Sequence, residues 1–113
     1  MDTGITLLYC PFPTRAAARA ASHVLLEKKR AVCCHILPAG ASHYIWEGAE
    51  TVAEEHILLV KTLPAMADAA AAQLAQHHPY SCPAILRFTA TANPAFAAWA
   101  ATIINEFSSP PIG

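Results

Sequence analysis

The sequence predicts an α+β domain of the ferredoxin-like type, with the order β-α-β-β-α-β and one more helix at the C-terminal end. Short apolar runs bounded by proline or glycine indicate strands, and alanine-rich segments between them indicate helices. Two predicted strands follow each other in mid-chain without a helix, which favours a mainly antiparallel sheet with helices on one face. The 113 residues fit one domain, residues 1–113.

The first half of the chain supplies a strand, a helix and the start of a long hairpin. The apolar run 5–10 predicts a strand that ends in a turn at the prolines of 11–13, and Thr14 is placed to cap a helix that runs to about Lys29. The second strand covers 31–37 and continues over 42–46 after a break at Pro38-Ala39-Gly40. A turn or bulge at Glu47-Gly48 then leads into a third strand over 52–61.

The second half supplies two helices and the last strand. Thr62 is predicted to cap a helix that has Pro64 in its first turn and ends near Gln76. A fourth main strand covers 83–90, and Asn93-Pro94 opens a last helix through about Phe107. The proline-rich tail 108–113 is expected to be frayed.

Composition points to an oligomer. Charged residues make up 13% of the chain and hydrophobic residues 55%, whereas a typical domain carries about 25% charged residues. A small domain has a large surface for its volume, so this deficit indicates that much surface is covered by other subunits. An alanine-rich monomer is the alternative that composition leaves open.

Charge and hydropathy argue against nucleic-acid and membrane partners. The net charge is −1, the longest basic run is 28–30, and no apolar run is long enough to span a bilayer. The N-terminal residues lack the positive region of a signal peptide. The four cysteines show no C-x-x-C spacing, so we expect free thiols and a cytoplasmic location.

Several ordered motifs resemble those of the CutA family of divalent-cation tolerance proteins. The similarity runs from about Ile5 to Phe107, and together the motifs are far more specific than each is alone. They are Leu8-Tyr-Cys-Pro11, Ala31-Val-Cys-Cys-His-Ile-Leu-Pro38, Ser42-His-Tyr-Ile-Trp-Glu-Gly48, Glu55 through Thr62, His78-Pro-Tyr-Ser-Cys-Pro-Ala-Ile85 and Asn93-Pro-Ala-Phe-Ala-Ala-Trp99.

The resemblance implies a homotrimer of ferredoxin-like subunits that binds a divalent cation, copper above all, and contributes to metal-ion tolerance. It also implies a trimer architecture similar to that of the PII signalling proteins. The alternative function is therefore a trimeric signalling module that binds a small anionic ligand at clefts between subunits.

Four positions depart from the family pattern. His35 stands where Asn is common, Ile45 where a second aromatic residue is common, and Ala84 and Ala98 where acidic residues are frequent. The change at Ala84 removes a carboxylate that an acid–base or ligand-binding role could use, whereas His35 could add a metal ligand.

Cys10, His77 and His78 are the candidate metal ligands that the resemblance supports. Thiolate and imidazole donors suit copper or zinc. They come from the end of the first strand and the end of the second helix, so spacing alone does not show that they meet. The structural alternative is that His78 belongs to a turn and has its imidazole satisfied by backbone groups.

The remaining thiols and imidazoles have weaker claims as ligands. Cys33 and Cys34 are predicted to be core thiols, Cys82 is undecided, and His43 and His56 are expected to be satisfied or partly exposed strand residues.

A polar cleft is the second candidate site, with Trp46, Glu55, Lys61 and Tyr80 as its residues. Glu55 and Lys61 are six residues apart on one strand and are predicted to face the same side. An ion pair between them, within or across subunits, is the favoured interpretation, and a cleft that holds a small anion is the alternative.

The sequence contains no recognisable catalytic motif. It has no nucleophile elbow, P-loop, dinucleotide-binding loop or zinc-protease pattern, and its 4 glycines offer little material for a phosphate cradle. A thiol–imidazole pair at Cys10 lacks an orienting third group, so we predict that the protein is not an enzyme.

Overall fold

The computed structural model describes the backbone of residues 3 to 108 and the side chains of residues 3 to 105. The strands are β1 (Gly4–Phe12), β2 (Cys33–Ile36), β3 (Gly40–Trp46), β4 (Ala49–Thr62) and β5 (Leu86–Thr91). The helices are α1 (Arg15–Glu27), α2 (Ala67–His77) and α3 (Pro94–Ser108), and a 3₁₀ turn, Pro64–Met66, precedes α2. The predicted element order is confirmed. The tail predicted to be frayed falls, after Ser108, outside the described residues.

The central sheet has the order β2-β4-β1-β5, and every pairing is antiparallel. With β3 set aside, this is the strand order of a ferredoxin-like sheet, because the first and third strands of the β-α-β-β-α-β unit are neighbours in its centre. β3 pairs with the first half of β4, and β2 pairs with the second half. The sequence-based fold class is therefore confirmed.

The β3–β4 hairpin projects beyond the sheet. Its two-residue turn has φ of 51° at Glu47 and 80° at Gly48, as a type I′ turn requires. β1 pairs with β4 only from His56 onward, so the seven residues 49–55 extend past the end of β1. The molecule is accordingly 56 Å long and only 28 by 22 Å across.

Helices cover both faces of the sheet. On one face α1 and α2 pack on the even-numbered residues of β1 and β4 and form the main core, which includes Leu8, Phe12, Leu25, Leu58 and Leu74. On the opposite face α3 packs Ala100 and Ile104 against Ile5 and Val32. The expectation that all helices lie on one face is therefore wrong for α3. Leu86 and Phe88 of β5 remain about half exposed.

β1 is longer than its proline signal suggested. It continues through Pro11 and Phe12, where a turn was predicted. Proline has no backbone N–H, and it is tolerated at position 11 because β5 pairs with β1 only as far as Tyr9. Beyond Tyr9, the side of β1 that faces β5 has no strand partner that would need an N–H from β1. The Pro11 carbonyl instead lies 2.7 Å from Nε2 of His78. β5 begins at Leu86, which pairs with Tyr9, and this is three residues later than predicted.

Thr62 does not cap the second helix. It is the last residue of β4, fully buried, and its hydroxyl donates a 2.6 Å hydrogen bond to the backbone carbonyl of Arg30. The helical segment opens instead with the 3₁₀ turn after Leu63, with Pro64 in its first turn as predicted and no side-chain cap. The cap prediction is wrong because Thr62 belongs to β4, which ends before the helical segment begins.

Candidate functional site

A large concave feature lies between the β3–β4 hairpin and the loop after α2. This hairpin cleft has a volume of about 560 Å³, which is in the range of small-molecule sites. Its walls contain three aromatic side chains, one carboxylate and one thiol, and they contain no lysine or arginine. Its lining residues are Pro11, Ser42, Tyr44, Trp46, Glu55, Pro79, Tyr80, Ser81, Cys82 and Ala84.

Glu55 is the buried acidic group of the cleft. Its residue surface is 8% exposed, whereas the adjacent Glu54 is exposed. The Tyr80 hydroxyl donates a 2.8 Å hydrogen bond to its carboxylate. Burial, and then this hydrogen bond and the charge of Glu55, raise the pKa of Tyr80 to about 12, so the phenol stays protonated and remains a donor. This bond ties the hairpin to the loop after α2.

His78 holds that loop against β1. Its ring stacks on Phe12 with centroids 4.3 Å apart. Nδ1 accepts a 3.0 Å hydrogen bond from the backbone N–H of Tyr80, so Nε2 carries the proton and donates to the Pro11 carbonyl at 2.7 Å. Both ring nitrogens are therefore engaged, which matches the structural alternative for this residue. A metal ion could bind His78 only after one of these bonds broke.

Cys10 lies in the main core. It is fully buried on β1, on the face that α1 and α2 cover. Burial, with a smaller contribution from Glu55, raises the pKa of the Cys10 thiol from 9.0 to about 12. Metal ions bind the thiolate, so this environment opposes metal binding at Cys10.

His77 lies at the exposed end of α2 and joins a different polar cluster. Its Nδ1 is 2.7 Å from Nε2 of Gln73, a buried side chain whose oxygen accepts a hydrogen bond from Arg30. Gln73 therefore bridges the loop after α1 to the end of α2. Sequence reasoning missed it because a glutamine in an alanine-rich helix carries no signal for burial.

The three predicted ligands do not form one metal site in the subunit. No group of three His, Cys, Asp or Glu side chains that could hold a metal ion occurs among residues 3 to 105. Cys10 is enclosed, His78 is occupied on both nitrogens and His77 faces solvent. As they stand, these residues do not fit a bound copper or zinc ion.

The structure separates the predicted cleft residues into two places. Trp46, Glu55 and Tyr80 line the hairpin cleft, but Lys61 lines a smaller hollow beside Phe96, with its ammonium nitrogen 5.7 Å from the ring centroid. The ion pairs within the described residues are His23–Glu27 and Asp68–Arg87, so Glu55 and Lys61 do not pair within the subunit.

Tyr44 and Ala84 also line the cleft, and features of the sequence could have indicated both. Tyr44 and Trp46 are two apart on β3, so an alternating strand puts both on one face. Tyr44 lines the cleft together with Trp46. Ala84 also lines it, so the carboxylate missing at that position leaves Glu55 as the acidic group of the wall.

The other thiols and imidazoles lie apart from a common site. Cys82 is exposed in the cleft wall, whereas Cys33 and Cys34 are half-buried on β2. All four cysteines are free. His35 and His43 are exposed and His56 is half-buried. Within the described residues, no helix has the length and apolar character needed to cross a bilayer.

Comparison with known proteins gives one consistent family. The family model described as CutA1 divalent ion tolerance protein matches residues 6–102. The divalent-cation tolerance protein CutA of Pectobacterium atrosepticum is 34% identical over 80 residues, which cover 71% of this chain and 73% of that protein. The CutA homolog of Danio rerio is 34% identical over 83 residues, but this chain spans only 55% of its length.

Solved structures agree with the sequence matches. The CutA1 structure from Ehrlichia chaffeensis superposes with a TM-score of 0.85 at 32% identity, covering 88% of this chain and 94% of that one. The CutA structure from Xylella fastidiosa gives 0.86 at 30% identity, covering 88% and 97%.

Proposed function

This chain belongs to the CutA1 divalent ion tolerance protein family, and from this premise we propose that it is a cytoplasmic homotrimer that binds a divalent cation, copper first and zinc second, and so contributes to metal-ion tolerance. The proposed role is binding and contains no catalytic step. The observation that carries it is Glu55, a buried carboxylate in a cleft without a basic wall residue.

Charge is the reason to place the cation in the hairpin cleft. Carboxylates are almost never this deeply buried without a cationic partner. Within the described residues no Lys, Arg or His pairs with Glu55, whose hydrogen-bond partner is the neutral Tyr80 hydroxyl. A cation in the cleft would supply the missing charge. The thiol of Cys82 in the same wall is a donor that suits copper and zinc.

A titration of the reduced protein with Cu²⁺ and Zn²⁺, followed by calorimetry against a competing chelator, tests this location. We expect Glu55→Gln to weaken binding at least tenfold, and the matched control Glu54→Gln, which changes an exposed carboxylate on the same strand, to leave it unchanged. Cys10→Ser and His77→Ala should also bind as the wild type does. Binding lost in those two variants but kept in Glu55→Gln would move the site to the sequence-predicted ligands.

The homotrimer is supported by exposed apolar surface on the hairpin and on β5. Ile45 is 69% exposed and Val52 56%, and Leu86 and Phe88 are about half exposed. The stretch 49–55 of β4 also pairs on one side only, with β3, because β1 has ended. Such an open strand edge is suited to pairing with another copy.

Light scattering or native mass spectrometry tests the assembly. A homotrimer of 12.0 kDa subunits has a mass of about 36 kDa. A monomeric or dimeric mass at micromolar concentration would contradict the proposal.

A signalling module that binds a small anion is the second candidate, and the size of the hairpin cleft favours it. Its wall offers no Lys or Arg within the described subunit, so an anion would need a cationic side chain from a neighbouring copy. Thermal-shift measurements with inorganic phosphate and citrate test it, because a specific ligand raises the unfolding midpoint by mass action. Unchanged midpoints would eliminate it.

A further inference from the structure

The hairpin cleft combines a buried carboxylate with aromatic walls. Glu55 lines it with 8% of its residue surface exposed, and the described wall contains no lysine or arginine. Tyr44, Trp46 and Tyr80 supply three aromatic rings, and two prolines add apolar surface. The volume of about 560 Å³ has room for a ligand with an organic body. These features suit a ligand that carries a positive charge on an apolar body.

One oxygen of the Glu55 carboxylate is open to such a ligand. The Tyr80 hydroxyl donates to Oε2 at 2.8 Å, and no group among the described residues donates a hydrogen bond to Oε1. Over the same residues, every fully buried side-chain nitrogen or oxygen has a hydrogen-bond partner. Oε1 therefore keeps some accessible surface, although the residue as a whole is buried. A charged donor at this oxygen would offset the cost of burying the carboxylate.

The chemistry of the walls selects the class of donor. The faces of aromatic rings are negative and attract cations, above all those of alkylammonium groups. An ammonium ion has no coordination sphere to fill, so a single carboxylate oxygen is a sufficient partner for its N–H groups. An anion would find no cationic group in the described wall, and a neutral ligand would leave the charge of Glu55 without a partner.

We propose that the hairpin cleft binds an organic ammonium ion, namely the protonated form of a small primary amine with an apolar body. The ammonium group donates a hydrogen bond to the Glu55 carboxylate, and the apolar body lies against the aromatic walls. Binding is non-covalent. This inference goes beyond the proposed function, because it gives the cleft an organic ligand that binds without metal.

Benzylammonium is the probe, and benzyl alcohol is its neutral match in shape. Each is titrated into the full chain at pH 7 with a chelator present, and nuclear magnetic resonance follows the indole N–H signals of the two tryptophans. Trp46 lines the cleft and Trp99 does not, and a Trp99→Phe variant assigns the signals. We expect the Trp46 signal to shift, and benzylammonium to bind at least tenfold more tightly than benzyl alcohol. Equal affinities, or a shift confined to Trp99, would overturn the inference.

Glu55→Gln tests the charge, because it keeps the shape of the side chain. It should abolish the preference for benzylammonium, and Glu54→Gln, which changes the exposed neighbour, should preserve it. A preference that survives in Glu55→Gln would overturn the inference.

The aromatic wall is tested separately, with Glu55 intact. Tyr44→Leu should weaken benzylammonium binding at least threefold, whereas Ile45→Leu, at a position outside the cleft lining, should leave it unchanged. Equal binding by the wild type and Tyr44→Leu would overturn the inference, because the wall would then contribute nothing.

The failure of this inference is distinguishable from the failure of the proposed function. Benzylammonium binding in chelator, together with no binding of Cu²⁺ or Zn²⁺ in the metal titration, would support the ammonium site and refute the metal proposal. Metal binding that depends on Glu55, without any binding of benzylammonium, would refute the ammonium site and leave the metal proposal standing.

Discussion

Replacing His78 with alanine decides whether this histidine is structural or a ligand. In the structure the imidazole makes two hydrogen bonds, one to the Pro11 carbonyl and one from the Tyr80 N–H, and stacks on Phe12. All of these contacts are between protein atoms. The structural interpretation therefore predicts a loss of stability in metal-free protein, and the ligand interpretation predicts a loss only when metal is present.

The expected loss follows from the contacts removed. A hydrogen bond contributes about 1 kcal/mol net, and an aromatic pair contributes about 0.5–1.5 kcal/mol beyond its buried area. Two such bonds and one stacked pair give a decrease of about 3 kcal/mol in the free energy of unfolding. His77→Ala is the matched control, because its ring is exposed and its hydrogen bonds within the described residues go to Gln73, and it should cost less than about 1 kcal/mol.

Urea unfolding in the presence of a chelator measures both variants, at one protein concentration because the stability of an oligomer depends on it. A His78→Ala variant within about 0.5 kcal/mol of the wild type, or a larger effect of His77→Ala, would refute the structural interpretation. Metal binding measured separately on the folded variants then reports on ligation alone.

Three further predictions concern stability. Burial raises the pKa of the Cys10 thiol from 9.0 to about 12, so the folded state keeps a proton that the unfolded state loses, and the free energy of unfolding falls as pH rises from about 9 towards 12. At pH 10 the loss is about 1 kcal/mol, and denaturant titrations of Cys10→Ser should not show it. Glu47→Asn should raise the free energy of unfolding by about 0.5–1 kcal/mol, because Asn before Gly48 suits the positive φ of a type I′ turn; an unchanged urea midpoint would contradict this. Thr62→Val should cost about 1–3 kcal/mol, because it leaves the Arg30 carbonyl without its partner, whereas Thr62→Ser should be milder; equal midpoints would contradict the buried bond.

The elements of the fold could be predicted because their signals are local. Apolar runs, helix-forming segments and the Glu47-Gly48 turn each reflect a preference of a few neighbouring residues. The errors arose where tertiary contacts override that preference. Proline favours turns, but Pro11 lies in β1 at a point where the pairing with β5 has already ended. Threonine favours helix caps, but Thr62 is the last residue of β4 and its hydroxyl donates to the Arg30 carbonyl.

The candidate site was less predictable because its residues come from distant segments. Glu54 and Glu55 are adjacent, and only the pairing of the strand shows which one is buried. The partner of Glu55 is Tyr80, 25 residues away on a loop. His78 could not be assigned from spacing, since its ligand and structural roles require the same residue type. Which ring nitrogen donates and which accepts follows only from the positions of the Pro11 carbonyl and the Tyr80 N–H.

Trp46 connects the ligand proposal with the assembly proposal. Its side chain lines the hairpin cleft, yet the residue is 51% exposed in the single subunit, on the strand next to the open edge of β4. A second copy that pairs with this edge would cover the exposed part of the ring and narrow the cleft. A ligand that fills the narrowed cleft would bind the assembled state more tightly than the separate subunits. It should therefore shift the equilibrium towards the oligomer by an amount fixed by this difference in affinity, so that dilution experiments with and without Zn²⁺ measure the coupling directly.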